Sequence, residues 1–180
     1  MSIGRQPNNY AFIDGINLHL TYEDLDWKMD YSKLVRYLRK RHNVTAAYYF
    51  LGFIEKNKRI YEALEEYGYE LKFREVSEFP TEPIICPHCK RVVTPGGVKT
   101  KCDCDADITL QMIDDIEKYD KAILITSDGD FDNVIKKLIR INKLKLVLAP
   151  CKKGCSKLLK NAARGRIEFL DNFRGELEKI

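Results

Sequence analysis

Apolar residues recur along this chain with two periods, and the two alternate. Short apolar runs rich in β-branched and aromatic residues predict strands: YAFID (10–14), VTAAYYFLG (44–52), YELKFREV (69–76), KAILITS (121–127), KLKLVLAP (143–150) and RIEFL (166–170). Between them the apolar positions fall three and four apart, which predicts helices. In DYSKLVRYLRKRH (30–42), Asp30 is a natural cap for a face of Leu34, Val35 and Leu38. In KNKRIYEALEEYG (56–68), Ile60, Ala63, Leu64 and Tyr67 share a face and Gly68 stops the helix. ADITLQMIDDIEKY (106–119) repeats Ile108, Met112 and Ile116; FDNVIKKLIRIN, CSKLLKNAA and the tail NFRGELEKI complete the helical set.

Strands alternating with helices predict an α/β fold, with a mostly parallel sheet covered on both faces. The 180 residues suit a single domain spanning 1–180. The alternation breaks over residues 79–104, where most of the prolines, an adjacent glycine pair and four of the six cysteines collect. This stretch reads as an insertion into one domain. YAFID ends at Asp-Gly, which reads as a turn.

No apolar run reaches membrane-spanning length, and the opening MSIGRQPNNY has no apolar core of a signal peptide. The expectation is a soluble cytoplasmic protein with reduced thiols. The net charge of +4 hides an asymmetry: residues 136–166 carry eleven Lys or Arg and no acid, leaving 20 basic against 27 acidic residues elsewhere. That basic segment suits a polyanionic partner.

In an open parallel sheet, ligands bind beyond the carboxyl ends of the strands. There the sequence puts Asp14, with Asn17 just after it, and Asp128 and Asp130 after KAILITS; Asp105 opens the helix after the insertion. Four carboxylates from three distant segments repel one another unless a cation neutralises them, and carboxylate oxygens suit Mg²⁺ or Mn²⁺. Any one of these residues alone reads as a turn or a helix cap; their joint placement points to a centre. His19, His42 and His88 lie in unrelated contexts, and neither GxxxxGK[ST] nor GxGxxG occurs.

The ordered segments FIDGINL, KCDCDADITLQMI, DKAILITSDGDF and KLVLAPCKKGCSKLLKNAA resemble the NYN domain, in the LabA-like branch of the PIN-like nucleases. The resemblance covers nearly the whole chain. It implies a three-layer α/β/α Rossmann-like fold and metal-dependent endoribonuclease activity, with 5′-phosphate and 3′-hydroxyl products. Asp14 and Asn17 match the first-strand motif, Asp105 the acid at the helix start, and Asp128 and Asp130 the paired acids. Asp107 matches a frequent outer acid. Ser127 and Ser156 match small hydroxyl positions beside the site, and Asp132 reads as a cap. Lys101, Lys152, Lys153, Lys157, Lys160 and Arg164 would hold the RNA backbone, single-stranded or looped. Where the family reads K-G-N-x-D-A, this chain reads KCDCDA, which adds Asp103 beside the expected centre.

Cys86-x₂-Cys89 and Cys102-x-Cys104 supply four thiols, the donor set of a structural Zn²⁺ site. TPGG between the pairs reads as a hairpin turn. The expectation is a zinc clip, with His88 as a substitute ligand, whose second pair leads directly into Asp105. The alternative is a loop with two incidental thiols and two packed ones; Cys151 and Cys155 read as packing. Three functions fit: a metal-dependent ribonuclease, a catalytically weak RNA- or protein-binding module of the same fold, and a DNA nuclease or phosphatase using the same acids. The oligomeric state is open, a homodimer included.

Overall fold

The structure, a computed structural model, describes residues 5–24 and 26–179. Six strands form the central sheet: β1 (Asn9–Asp14), β2 (Val44–Gly52), β3 (Glu70–Arg74), β8 (Ala122–Ile125), β9 (Leu144–Ala149) and β10 (Ile167–Phe169). Their order is β10-β9-β8-β1-β2-β3, and every pairing is parallel. From β1 the chain builds outward to β2 and β3, then crosses to the other side of β1 and builds outward again through β8 to β10. The direction of winding reverses between β1 and β8, so their carboxyl ends flank the crevice where such sheets take ligands.

Alternation along the buried strands makes the two cores. Ala11, Ile13, Ile123, Ile125, Leu146 and Leu148 face one way, toward Leu18 of α1 (Gly15–Asp24), Leu34 and Leu38 of α2 (Tyr31–His42), Leu64 of α3 (Lys58–Tyr67) and Leu177 of α7 (Arg174–Leu177). Phe12, Leu124, Val147 and Ala149 face the other way. They meet Ile108 and Met112 of α4 (Asp105–Asp114), Ile135 and Leu138 of α5 (Asp132–Arg140) and Leu159 of α6 (Lys157–Ala163). Helices thus cover both faces of a parallel sheet, which is why its inner strands carry unbroken apolar runs. Among the described residues no helix is long and apolar enough to cross a membrane.

Several local expectations hold and others change. Asp30 caps α2 by accepting from the backbone N–H of Ser32 and Lys33, and Gly68 ends α3 with φ +95°. The inward face of α3 is Tyr61 and Leu64, whereas Ile60 is 56% exposed. The Tyr61 hydroxyl lies at a strand end, donating to the Gly52 carbonyl (3.1 Å) and accepting from the Ile54 N–H (2.9 Å). No turn follows Asp14: α1 starts at Gly15, whose Cβ would lie 2.2 Å from the Tyr49 ring and 2.5 Å from the Phe50 carbonyl oxygen. Only glycine permits that approach of helix to sheet.

The insertion is a pair of antiparallel ribbons. β4 (Ser77–Thr81) pairs with β7 (Gly97–Lys101), and β5 (Ile84–Ile85) pairs with β6 (Val92–Thr94). TPGG is therefore not the hairpin turn; it joins β6 to β7, and the chain reverses through residues 86–91. A Cβ at Gly96 would lie 2.6 Å from the Thr81 carbonyl oxygen.

Candidate metal centre

The carboxyl ends of β1 and β8 and the start of α4 bring the expected acids together. One oxygen from each of Asp105, Asp128 and Asp130 lies within 4.8 Å of the others, the one grouping of three or more potential metal ligands among the described residues. Asp14, 4% exposed, is outside this trio. Its Oδ1 accepts from the Asn17 N–H (2.9 Å), which caps α1, and its Oδ2 accepts from the Thr126 hydroxyl (3.0 Å).

A chain of hydrogen bonds fixes the rim. Thr126 Oγ1 also accepts from the Asp128 N–H (3.2 Å), and Asp128 Oδ1 accepts from the Asp130 N–H (3.0 Å). Asn17 Oδ1 accepts from both the N–H (2.9 Å) and the hydroxyl (2.8 Å) of Ser127. The Ser127 carbonyl in turn accepts from the Ser156 N–H at 3.0 Å. Ser156 caps α6 by accepting from the Leu158 N–H, and Gly129 sits so close that its Cβ would lie 2.5 Å from Ser156 Oγ. The ends of β1 and β8 and the loop after β9 are thus one bonded assembly. Thr126 was not anticipated. Its signal is a fully buried hydroxyl between an apolar strand and an acidic turn, which demands a partner.

The electrostatics are those of crowded anions. Asp105 is pushed up to about 7, first by burial and then by the charges of Asp14, Asp103, Asp128 and Asp130. Burial also raises Asp14, against the lowering effect of its bonds from Asn17 and Thr126, and the Asp128 charge adds to the rise. Like charges in a partly desolvated rim disfavour full ionisation. A hard divalent cation removes that penalty, and the all-oxygen donor set suits one. Asp107 points elsewhere: it pairs with Arg74 at 2.5 Å. Asp132 receives Lys136 one turn along α5.

The four-thiol zinc clip is not assembled. Cys104 is 2% exposed and packs with Phe12, Tyr48 and Ile108, and Cys102 lies beside it with 3.6 Å between the sulfurs. These two are packed into the body under Gly52, whose Cβ would lie 3.1 Å from the Cys102 sulfur. Cys86 and Cys89 are at the far turn of the insertion. Among the described residues no grouping of three or more potential metal ligands includes a cysteine; C-x-C here seats the start of α4 through core packing. Burial raises the Cys104 thiol, and the neighbouring Cys102 adds to the rise.

The expected RNA-holding residues lie on three elements. Lys101 is exposed at the end of β7, and Lys152 and Lys153 are exposed on the loop after β9. Lys157, Lys160 and Arg164 belong to α6 and its C-terminal end. Arg164 lines a cleft of about 600 Å³ with Asn133, Lys136, Lys137 and Arg140 of α5, all but Asn133 from the acid-free basic segment 136–166.

Comparison with known proteins agrees with this architecture. The model of the NYN domain matches residues 10–171. The low amplitude and bright protein LabA of Synechococcus elongatus is 25% identical over 97% of this chain and 90% of its own. The crystal structure of a protein of unknown function from Vibrio parahaemolyticus superposes with a TM-score of 0.71 at 20% identity, covering 99% of this chain and 100% of that one. The last likeness shows the fold.

Proposed function

The chain belongs to the NYN-domain family, and from that premise we propose that it is a metal-dependent endoribonuclease whose centre is Asp105, Asp128 and Asp130, with Asp14 beside them. The observation that carries this reading is the trio itself: three carboxylates from two distant segments within 4.8 Å of one another at the switch point of the sheet. These oxygens would hold Mg²⁺ or Mn²⁺. When bound, such an ion polarises a phosphoryl oxygen and makes a water more acidic.

The protein's own groups supply the rest. Asp105, raised to about 7 first by burial while no cation neutralises the rim, would be held ionised by the ion it helps to bind. Asn17 is a positioning residue: by holding Ser127 it fixes the approach of Asp128 to the end of β1. Thr126 anchors Asp14 and Asp128 together. The cleft of Lys136, Lys137, Arg140 and Arg164, together with Lys152, Lys153, Lys157 and Lys160, would offer a phosphate backbone positive charge. Phosphate contacts of this kind position a strand without reading its sequence.

The experiment is cleavage of end-labelled single-stranded RNA with Mg²⁺ or Mn²⁺, beside DNA and small phosphoesters. Asp128→Asn should lower the rate at least about 100-fold while RNA still binds, as expected when a charge acting on the transition state is removed. Equal cutting by wild type and Asp128→Asn would refute the centre. Faster cutting of DNA or phosphoesters would reassign the substrate, and intact RNA retained at submicromolar affinity would make the protein a binding module.

A further inference from the structure

The outer half of the insertion has no part in the acidic centre. Its strands β5 and β6 carry Ile84, Ile85, Val92 and Val93, each between 51% and 66% exposed. An isolated two-stranded ribbon is marginal in water, and its open edges invite pairing. At its tip the chain reverses in a tight turn. The Cys86 N–H donates to the Arg91 carbonyl (2.8 Å) and the Lys90 N–H donates to the Cys86 carbonyl (2.9 Å), with Lys90 at φ +57°. The Cys86 thiol is lowered, first by the backbone N–H of Cys89 and then by that of His88 and by the Cys89 thiol. Cys86 and Cys89 thus belong to one tight hydrogen-bonded turn, and backbone N–H donors in such a turn support a metal-bound thiolate.

Two thiols are half of a tetrahedral donor set. The chain has no other pair to offer: Cys104, Cys151 and Cys155 are buried in the body and Cys102 packs beside Cys104. Among the described residues no third Cys, His or acid joins the tip pair, His88 included. A twofold axis through the metal supplies the missing half from an identical tip.

We propose that Cys86 and Cys89 are one half of a Zn²⁺ site completed by the same two residues of a second copy, with the apolar ribbons packed together along the shared axis. Four thiolates around Zn²⁺ carry a net charge of −2, and Lys90 and Arg91 beside each pair offset it. Without the metal those same four cations oppose the approach of the two tips, so the dimer depends on zinc. Each thiol gives up its proton on binding, which makes the association weaken as pH falls.

The test uses the full chain, purified in reductant without chelator, with metal analysis and light scattering on the same sample. The expected result is about 0.5 zinc per chain and a mass twice the 21.0 kDa of the chain. Chelation should return it to a monomer, and added Zn²⁺ should restore the dimer. Cys89→Ser should be a zinc-free monomer with an unchanged circular-dichroism spectrum, and His88→Ala should keep both zinc and dimer. A zinc-free chain, one zinc per monomer, a Cys86–Cys89 disulfide in place of metal, or a dimer indifferent to chelation overturns the proposal. None of these readouts involves RNA, so the ribonuclease reading stands or falls separately.

Discussion

Replacing Asp105 with Asn should stabilise the metal-free protein while removing its response to divalent cations. Asp105 is raised from 3.8 to about 7 by burial and by four neighbouring carboxylates. The sign follows from proton counting. Between about pH 4 and 7 the folded state keeps a proton that the unfolded chain, with an ordinary carboxyl, has released. Stability therefore falls as pH rises across that window and is flat above it. A shift of this size corresponds to at most about 4 kcal/mol; because Asp105 keeps some contact with water, screening reduces this to about 1–2 kcal/mol. Urea unfolding in chelator at intervals from pH 4.5 to 8 measures it. The wild type should lose about 1–2 kcal/mol relative to Asp105→Asn across the series, almost all below pH 7. Mn²⁺ at about 100 times its dissociation constant should return about 2.7 kcal/mol to the wild type and far less to the variant. Parallel pH curves for the two proteins, or equal stabilisation of both by Mn²⁺, would refute the argument that these acids share one destabilising, cation-relieved field.

Thr126→Val removes the donor to Asp14 and the acceptor for the Asp128 N–H. It should cost about 1–3 kcal/mol in urea unfolding and slow RNA cleavage without preventing RNA binding. His42 is held down to about 4, first by burial and then by Lys145 and Arg41. Its neutral form alone suits the fold, so stability should fall as pH drops from about 6.5 toward 4. His42→Phe, which also removes the unpartnered Nε2, should flatten that acid limb in thermal unfolding. Gly129→Ala drives a methyl into Ser156 Oγ and should lower both stability and cleavage. Ser156→Ala alone should cost about 1 kcal/mol as a lost cap, and combining the two changes should cost less than their sum if the clash is the cause.

The pattern of apolar runs was enough to place the six sheet strands and most helices, because a sheet buried on both faces leaves few polar interruptions. The acids at strand ends were legible for the same topological reason. Position α1 was not, since Asp-Gly signals a turn and only the crowding of Gly15 against Tyr49 shows why a helix starts there. In α3 the period was right but the phase was off by one, because Tyr61 buries its ring while its hydroxyl serves Gly52 and Ile54. The cysteines were misread as one set because spacing does not separate a ligand from a core residue; Cys104 is the latter. Asp14 shows the converse. Its cap to Asn17 is a structural duty, performed by one of its oxygens next to the acidic trio.

Strand β1 occupies the middle of the sheet, yet its two neighbours are made at very different times. β2 follows closely, whereas Thr126, which anchors Asp14, lies 112 positions further on. A nascent chain can pair β1 with β2 and β2 with β3 early, but one apolar flank of β1 waits until the ribbons and α4 have been synthesised. The crowded acids therefore confront each other only when the second half docks, so the last assembly step is the one opposed by charge. Divalent cations should consequently speed the final docking phase of refolding as well as steady the finished protein.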